Sequence, residues 1–267
     1  MYKAVVSDLD GTLLNEKGKV SDFTRKTVRE LIDKGIKFYI ATGRSYSGAK
    51  DIMDKLGLKI PLITSNGARI LDEEGKEIYV NNLEKKYSDS ILDIDYKKIG
   101  GNIVLNVYSG NDWYVTEDRR EFYMKINPKR TFFPEVTTLE KLKTKEFTKI
   151  FFLGEHDELL ELEKEIENIT KGEVNIAFVL EHCLEIFSKE SDKANAARFL
   201  LEKDGLTLKD SVAFGDGCND YDLLKKAGKG FVMGNALYRL KESLPENETV
   251  ETNADNGVAK KLVELFL

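Results

Sequence analysis

The strongest constraint on this chain is a nearly continuous apolar run, Lys3-Ala-Val-Val-Ser7, that ends directly in Asp8-Leu-Asp10-Gly-Thr-Leu-Leu14. A short run without polar alternation is the pattern of a strand covered on both faces, as in a parallel sheet flanked by helices. Two carboxylates two residues apart on an extended chain point the same way, about 6.6 Å apart at ~3.3 Å per residue. At 4 Å and an effective dielectric near 20, like charges repel by roughly 4 kcal/mol. A cation or a proton is therefore expected between Asp8 and Asp10. Asp and Gly are also common turn residues, so a turn with solvated aspartates is the competing reading of this segment alone.

The chain continues in strand–helix alternation. Ser21 or Asp22 can cap a helix that carries Val28, Leu31 and Ile32 on one face, and Gly35 ends it. Residues 36–40 form the next strand, residues 51–56 lie in a second amphipathic helix stopped by Gly57, and residues 61–64 form a third strand. The rhythm returns with a helix over 193–202, a strand over 211–214, a helix after Asn219, a strand over 231–233 and a closing helix over 258–266. This order predicts an α/β fold, a Rossmann-like core on a parallel sheet with right-handed crossovers.

The middle reads differently: a hairpin over 101–117, a strand over 149–153, a helix over 157–170, and strands over 174–180 and 184–187. It is expected to be an inserted α+β unit spanning 83–187, with the core formed by 1–82 and 188–267. Trp113 and the pair Phe122-Tyr123 read as part of the insertion's own core. Arg119, Arg120, Lys129 and Arg130 read as surface charges before substrate contacts.

With 267 residues, of which 41% are hydrophobic, the chain can bury one large core or two modest ones. Its net charge of −6 and lack of a long basic run argue against nucleic acid as a partner. No apolar stretch approaches the ~18 residues of a membrane span, and the first ten residues lack the pattern of a secretory leader. Cys183, Cys218, His156 and His182 match no zinc or disulfide spacing, so a reducing cytoplasm is the expected location. Only 4 prolines are present, which predicts that the two units are joined tightly.

Four expected strand ends carry polar groups: Asp8 and Asp10, then Thr42-Gly43-Arg44, then Thr64-Ser-Asn66-Gly-Ala68, then Gly215-Asp216-Gly-Cys-Asn219-Asp220. Ligands of open parallel sheets bind outside the carboxyl ends of the strands. Asp8, Asp10 and Asp216 are hard oxygen ligands suited to Mg²⁺, which takes a few carboxylates, waters and a substrate phosphate. Thr42, the Gly43 amide and Asn219 are neutral donors fitted to phosphate oxygens. Lys193, opening a helix after Asp192, adds a cation where the helix dipole is positive. An anionic small molecule suits such a local pocket even in an acidic chain.

Asp-Leu-Asp-Gly-Thr-Leu-Leu, Ala-Thr-Gly-Arg, the helix-opening Lys193 and Gly-Asp-Gly-Cys-Asn-Asp resemble the motifs of the haloacid dehalogenase superfamily. Ser-Asn-Gly-Ala and Asn256-Gly-Val-Ala259 narrow the resemblance to its Cof-type phosphatases, and it covers the chain end to end. The resemblance implies that Asp8 is the nucleophile and that Asp10 is the general acid, then the base. It implies magnesium on Asp8, on the backbone carbonyl of Asp10 and on Asp216, with Asp220 and Asn66 in support. Phosphate would meet Thr42, Gly43, Lys193, Asn219 and the backbone of Leu9, and the insertion would be a cap that selects substrate. Cys218 occupies a variable position, and Ala194 stands where glycine is frequent, but neither removes a reacting group. The implied activity is Mg²⁺-dependent hydrolysis of small phosphorylated metabolites, sugar phosphates foremost. A phosphomutase using the same aspartyl-phosphate is the runner-up, and a non-catalytic phosphometabolite sensor is a third reading. No oligomeric state is read from the sequence.

Overall fold

A computed structural model describes residues 2–126 and 132–267; Lys129 and Arg130 lie outside the described residues, and so does the side chain of Phe122. In chain order the strands are β1 (Ala4–Ser7), β2 (Lys37–Ala41), β3 (Leu62–Thr64), β4 (Arg69–Leu71) and β5 (Glu77–Val80), then β6 (Val104–Ser109), β7 (Asp112–Val115), β8 (Glu135–Val136), β9 (Lys149–Leu153), β10 (Val174–Leu180) and β11 (Cys183–Ser188), then β12 (Ser211–Gly215), β13 (Lys229–Val232) and β14 (Glu248–Thr249). They form an eight-stranded sheet in the order β14-β13-β12-β1-β2-β3-β4-β5 and a six-stranded sheet in the order β10-β11-β9-β6-β7-β8.

The chain divides into two compact units, Met1–Val80 with Ser191–Leu267, and Asn81–Glu190. The expected borders at 82/83 and 187/188 lie just inside the second unit. There the Ser188 hydroxyl donates to the Asn81 side-chain oxygen at 3.1 Å, tying the incoming and outgoing chain together.

In the first unit, β1 is buried along its whole length, as its unbroken apolar run demands. It pairs in parallel with β2 on one side and β12 on the other. The Ser21 hydroxyl accepts from the Thr24 N–H at 3.1 Å and caps the helix Asp22–Asp33. That helix packs against the closing helix Gly257–Phe266, and the helix Lys193–Lys203 packs against Tyr221–Lys226. Right-handed crossovers to opposite sides of β1 put these two pairs on opposite faces.

The sequence reading omitted β4 and β5, which extend the sheet antiparallel beyond β3. They are three and four residues long, too short to display a period. Their connecting turn is closed by the Asp72 carboxylate, which accepts from the Glu74 N–H at 3.1 Å and the Lys76 N–H at 2.8 Å.

The second unit has its own core. One face of its sheet packs Leu105, Val107, Ile150, Phe152, Leu184 and Ile186 with helix residues such as Leu159, Leu162 and Ile166. The other face gathers Val104, Trp113, Val115, Tyr123, Phe151, Leu153 and Cys183. The Asn106 side-chain oxygen accepts from Trp113 at 3.1 Å and Tyr123 at 2.7 Å, so both aromatics are core residues as expected. Arg119 pairs with Glu117 at 2.8 Å, and exposed Arg120 lies over the Phe133 ring. No helix among the described residues is long and apolar enough to cross a membrane.

Candidate active site

The chain winds from β1 outward through β2 and β3, then returns to lay β12, β13 and β14 on the other side of β1. A doubly wound sheet opens a crevice at the carboxyl end of the strand where winding reverses. Asp8 is the residue that follows that strand, and its N–H donates to the Phe214 carbonyl at 3.0 Å.

After Asp8 the backbone makes one tight turn over Leu9–Leu13. The turn needs glycine at position 11. Its φ is +72°, and a β-carbon there would lie 2.3 Å from an Asp216 carboxylate oxygen. Within the turn, the Thr12 hydroxyl donates to Asp216 Oδ1 at 2.7 Å, joining the first loop to the loop after β12.

The carboxylates of the two acids in the first loop meet different protein cations. Asp8 is buried, and Lys193 Nζ donates to its Oδ1 at 2.5 Å and to Asp220 Oδ1 at 2.6 Å. Asp10 is exposed and held by Arg44 in a two-point fork, Nε to Oδ2 at 2.7 Å and Nη2 to Oδ1 at 2.6 Å. The extended-chain expectation fails because the chain turns after Asp8, sending the carboxylates to different protein cations.

The carboxylates that do converge are Asp8, Asp216 and Asp220, with ligand atoms within 4.8 Å of one another. The other Asp220 oxygen accepts the N–H groups of Asp216 at 3.1 Å and Gly217 at 3.0 Å. With Lys193 on Oδ1, both oxygens of Asp220 are engaged, which suits it to hold the loop after β12 and the lysine in place. Asp8 and Asp216 supply the hard oxygens a divalent cation needs.

Burial pushes the Asp8 carboxyl up to about 8, with Asp220 and Asp216 adding to the rise and Lys193 opposing it. Burial likewise lifts Asp216 to about 6 against the Thr12 hydrogen bond. For Lys193, burial favours the neutral amine, but Asp220 and Asp8 outweigh it and hold the ammonium above its ordinary value.

The phosphate-binding candidates gather beside these acids. Thr42 is buried at the end of β2, and its hydroxyl accepts the Arg44 N–H at 3.1 Å. Residues 65 and 66 adopt left-handed backbone conformations, and the Asn66 N–H donates to the Thr42 carbonyl at 3.0 Å. Asn66 Oδ1 lies 2.9 Å from where a β-carbon on Gly43 would stand, so that position has no room for a side chain. The same oxygen accepts Asn219 Nδ2 at 2.9 Å, linking the loops after β3 and β12. Lys193 is the first residue of its helix, whose cap Asp192 accepts the Asn195 N–H at 2.8 Å.

Sequence reasoning gave no role to Thr12, Asn235 or Asn253. Asn235 Nδ2 donates to the Gly11 carbonyl at 2.8 Å, Asn253 Nδ2 donates to the Leu14 carbonyl at 2.7 Å, and the Asn253 N–H donates to Asn235 Oδ1 at 2.9 Å. The one signal for Thr12 was its place inside the Asp-Gly-Thr run; single asparagines over 200 residues away carry none.

The family description "haloacid dehalogenase-like hydrolase" matches residues 5–262. A Buchnera aphidicola protein with a provisional phosphatase name is 38% identical over 100% of this chain and 99% of its own length. An HMP-PP phosphatase of Yersinia pseudotuberculosis is 32% identical, covering 98% of this chain and 94% of that protein. Among solved structures, TM0651 from Thermotoga maritima superposes with a TM-score of 0.85 at 26% identity, over 100% of this chain and 98% of that one. Family match and coverage agree: the chain belongs to the haloacid dehalogenase-like hydrolases, in their Cof-type phosphatase branch.

Proposed function

We propose that the protein hydrolyses small phosphate monoesters, sugar phosphates foremost, in the cytoplasm, by passing the phosphoryl group through Asp8 with Mg²⁺ as cofactor. The observation that carries this reading is the Asp8 carboxylate itself. It is buried at the switch point of the sheet, has one oxygen tied to Lys193, and lies beside Asp216 and Asp220. A divalent cation would be held by Asp8, Asp216 and the Asp10 carbonyl and would supply charge neutralisation for a phosphate dianion meeting a carboxylate.

The chain's own residues account for the rest. Lys193 fixes one Asp8 oxygen, leaving the other to attack phosphorus while the ester oxygen departs. Thr42, the amides of Leu9 and Gly43, and Asn219 hold the phosphoryl oxygens, with Asn66 orienting Asn219. Asp10 gives a proton to the departing oxygen and then takes one from the water that cleaves the aspartyl-phosphate, releasing phosphate.

The test is phosphate release from a panel of sugar phosphates and p-nitrophenyl phosphate, with Mg²⁺ and with EDTA, for wild type and Asp8→Asn. Metal-dependent turnover that falls at least about a thousandfold in the variant is expected, since the nucleophile acts as a unit with its partners. Turnover surviving in Asp8→Asn overturns the nucleophile. A requirement for a bisphosphate activator, with the phosphoryl group returned to substrate, would instead establish a mutase. Tight binding of a phosphometabolite without turnover would establish a sensor.

A further inference from the structure

Arg44 is a cation to which the phosphoryl-transfer reading gives no task. Its backbone is fixed at both ends by the site: its N–H donates to Thr42 Oγ1 at 3.1 Å, and its carbonyl accepts the Ser65 N–H at 2.8 Å. Its guanidinium donates to both oxygens of Asp10 and, through Nη1, to the Gly48 carbonyl at 3.0 Å. The pair is open to water, with side-chain exposures of 39% for Arg44 and 50% for Asp10, whereas Lys193 and Asp8 are enclosed. An ion pair this exposed contributes little to stability, so stability alone does not account for a two-point arginine on a reacting group.

The geometry has a consequence for the leaving group. To protonate the departing oxygen, Asp10 must leave this fork, take up a proton from solvent and turn to the ester oxygen. The two N–H donors that faced it then lose their acceptors, close to the atoms attached to that oxygen. A planar guanidinium fork matches the paired oxygens of a carboxylate or a phosphate, and a neutral hydroxyl satisfies it poorly. We propose that Arg44 is a specificity-determining residue that receives an anionic group carried by the leaving group near the ester oxygen. The preferred substrates are phosphate esters bearing a second negative group there, ahead of esters of uncharged alcohols. This inference rests on the phosphatase reading and narrows its substrate class. Phosphoryl transfer is unchanged: the ester P–O bond breaks as the Asp8–phosphorus bond forms, and the departing oxygen takes its proton from Asp10.

Three matched substrates differ at one carbon. Glycerol 2-phosphate has a neutral hydroxymethyl group beside the ester carbon, 2-phosphoglycerate has a carboxylate there, and glycerol 1,2-bisphosphate has a phosphate there. Wild-type holoenzyme with Mg²⁺ is expected to favour at least one charged substrate by about tenfold or more in kcat/KM, the range of a charge-assisted hydrogen bond. Which of the two it favours separates a carboxylate from a second phosphate as the recognised group. Arg44→Gln should abolish the preference, mainly through KM of the charged substrates, and Arg44→Lys should restore part of it. Equal kcat/KM for all three substrates in wild type overturns the proposal without any variant. So does an equal loss on all three in Arg44→Gln, which would mark a purely structural arginine. Failure of wild type to release phosphate from these esters and from p-nitrophenyl phosphate overturns the phosphatase reading instead.

Discussion

Asp8 and Asp10 are separated by one leucine, yet one is enclosed with a lysine and the other faces water with an arginine. Burial is what distinguishes them, and it has a measurable result. Asp8 at about 8 and Asp216 at about 6 both lie above the ordinary 3.8. Groups raised on folding contribute stability that is complete below their unfolded values, here below about pH 4. That contribution is lost as the pH rises through about 6 and then about 8 in the metal-free protein. Protons and a divalent cation compete for the same oxygens. The rise in Tm caused by Mg²⁺ should therefore grow from pH 5 to pH 8, measured by thermal melts with and without the ion. A gain that is flat with pH would show that these two carboxylates are not the cation's ligands. The identity of the acids could be read from the sequence, and so could Thr42, Lys193 and Asn219. Their pairing could not, because Lys193 lies 185 positions from Asp8 and nothing local links them.

Among the elements, the turn Leu9–Leu13 governs where Asp10 points, and it is held from outside. Asn235, on the segment after β13, donates to Gly11, and Asn253 braces Asn235 and Leu14. The same segment reaches the loop after β12, where the Leu237 N–H donates to the Asp216 carbonyl at 3.1 Å. Asn235→Ala removes two neutral hydrogen bonds at an exposed site, the one to Gly11 and the one from the Asn253 N–H, about 0.5–1.5 kcal/mol each. It is expected to lower kcat by up to about tenfold and to lower Tm by a few degrees, with sugar phosphates slowed more than p-nitrophenyl phosphate because their alkoxide needs the Asp10 proton. Equal slowing of both substrates would place the effect on Asp8 or on phosphate binding. Helices with a cap and a periodic face were legible to within a few residues: Ser21 starts one at Asp22, and Gly57 stops another after Leu56. The turn that aims Asp10 was not, because it is fixed by side chains donated from loops distant in sequence.

The whole molecule is two units, each with apolar clusters of its own. The insertion pairs its strands antiparallel except for the parallel edge pair β7–β8, and the helix His156–Thr170 packs on one face of its sheet. A separate segment spanning Asn81–Glu190 should therefore unfold cooperatively, giving a sigmoidal thermal transition by circular dichroism. A featureless melt would mean that its core needs the rest of the chain. The composition shift that marks the insertion was readable because a parallel sheet buried on both faces writes unbroken apolar runs, while antiparallel hairpins write turns and alternation. Apolar period, capping residues and the polar strand ends are local patterns, and they pointed to the α/β class, the inserted unit and the polar groups gathered at the strand ends. The order of strands around β1 is a property of the folded sheet. It alone brought Thr12 to Asp216, 204 positions apart, and Asn219 to Asn66, 153 apart. Winding away from β1 in both directions gathers distant loops at one edge, and there the charges choose partners by distance in space rather than along the chain.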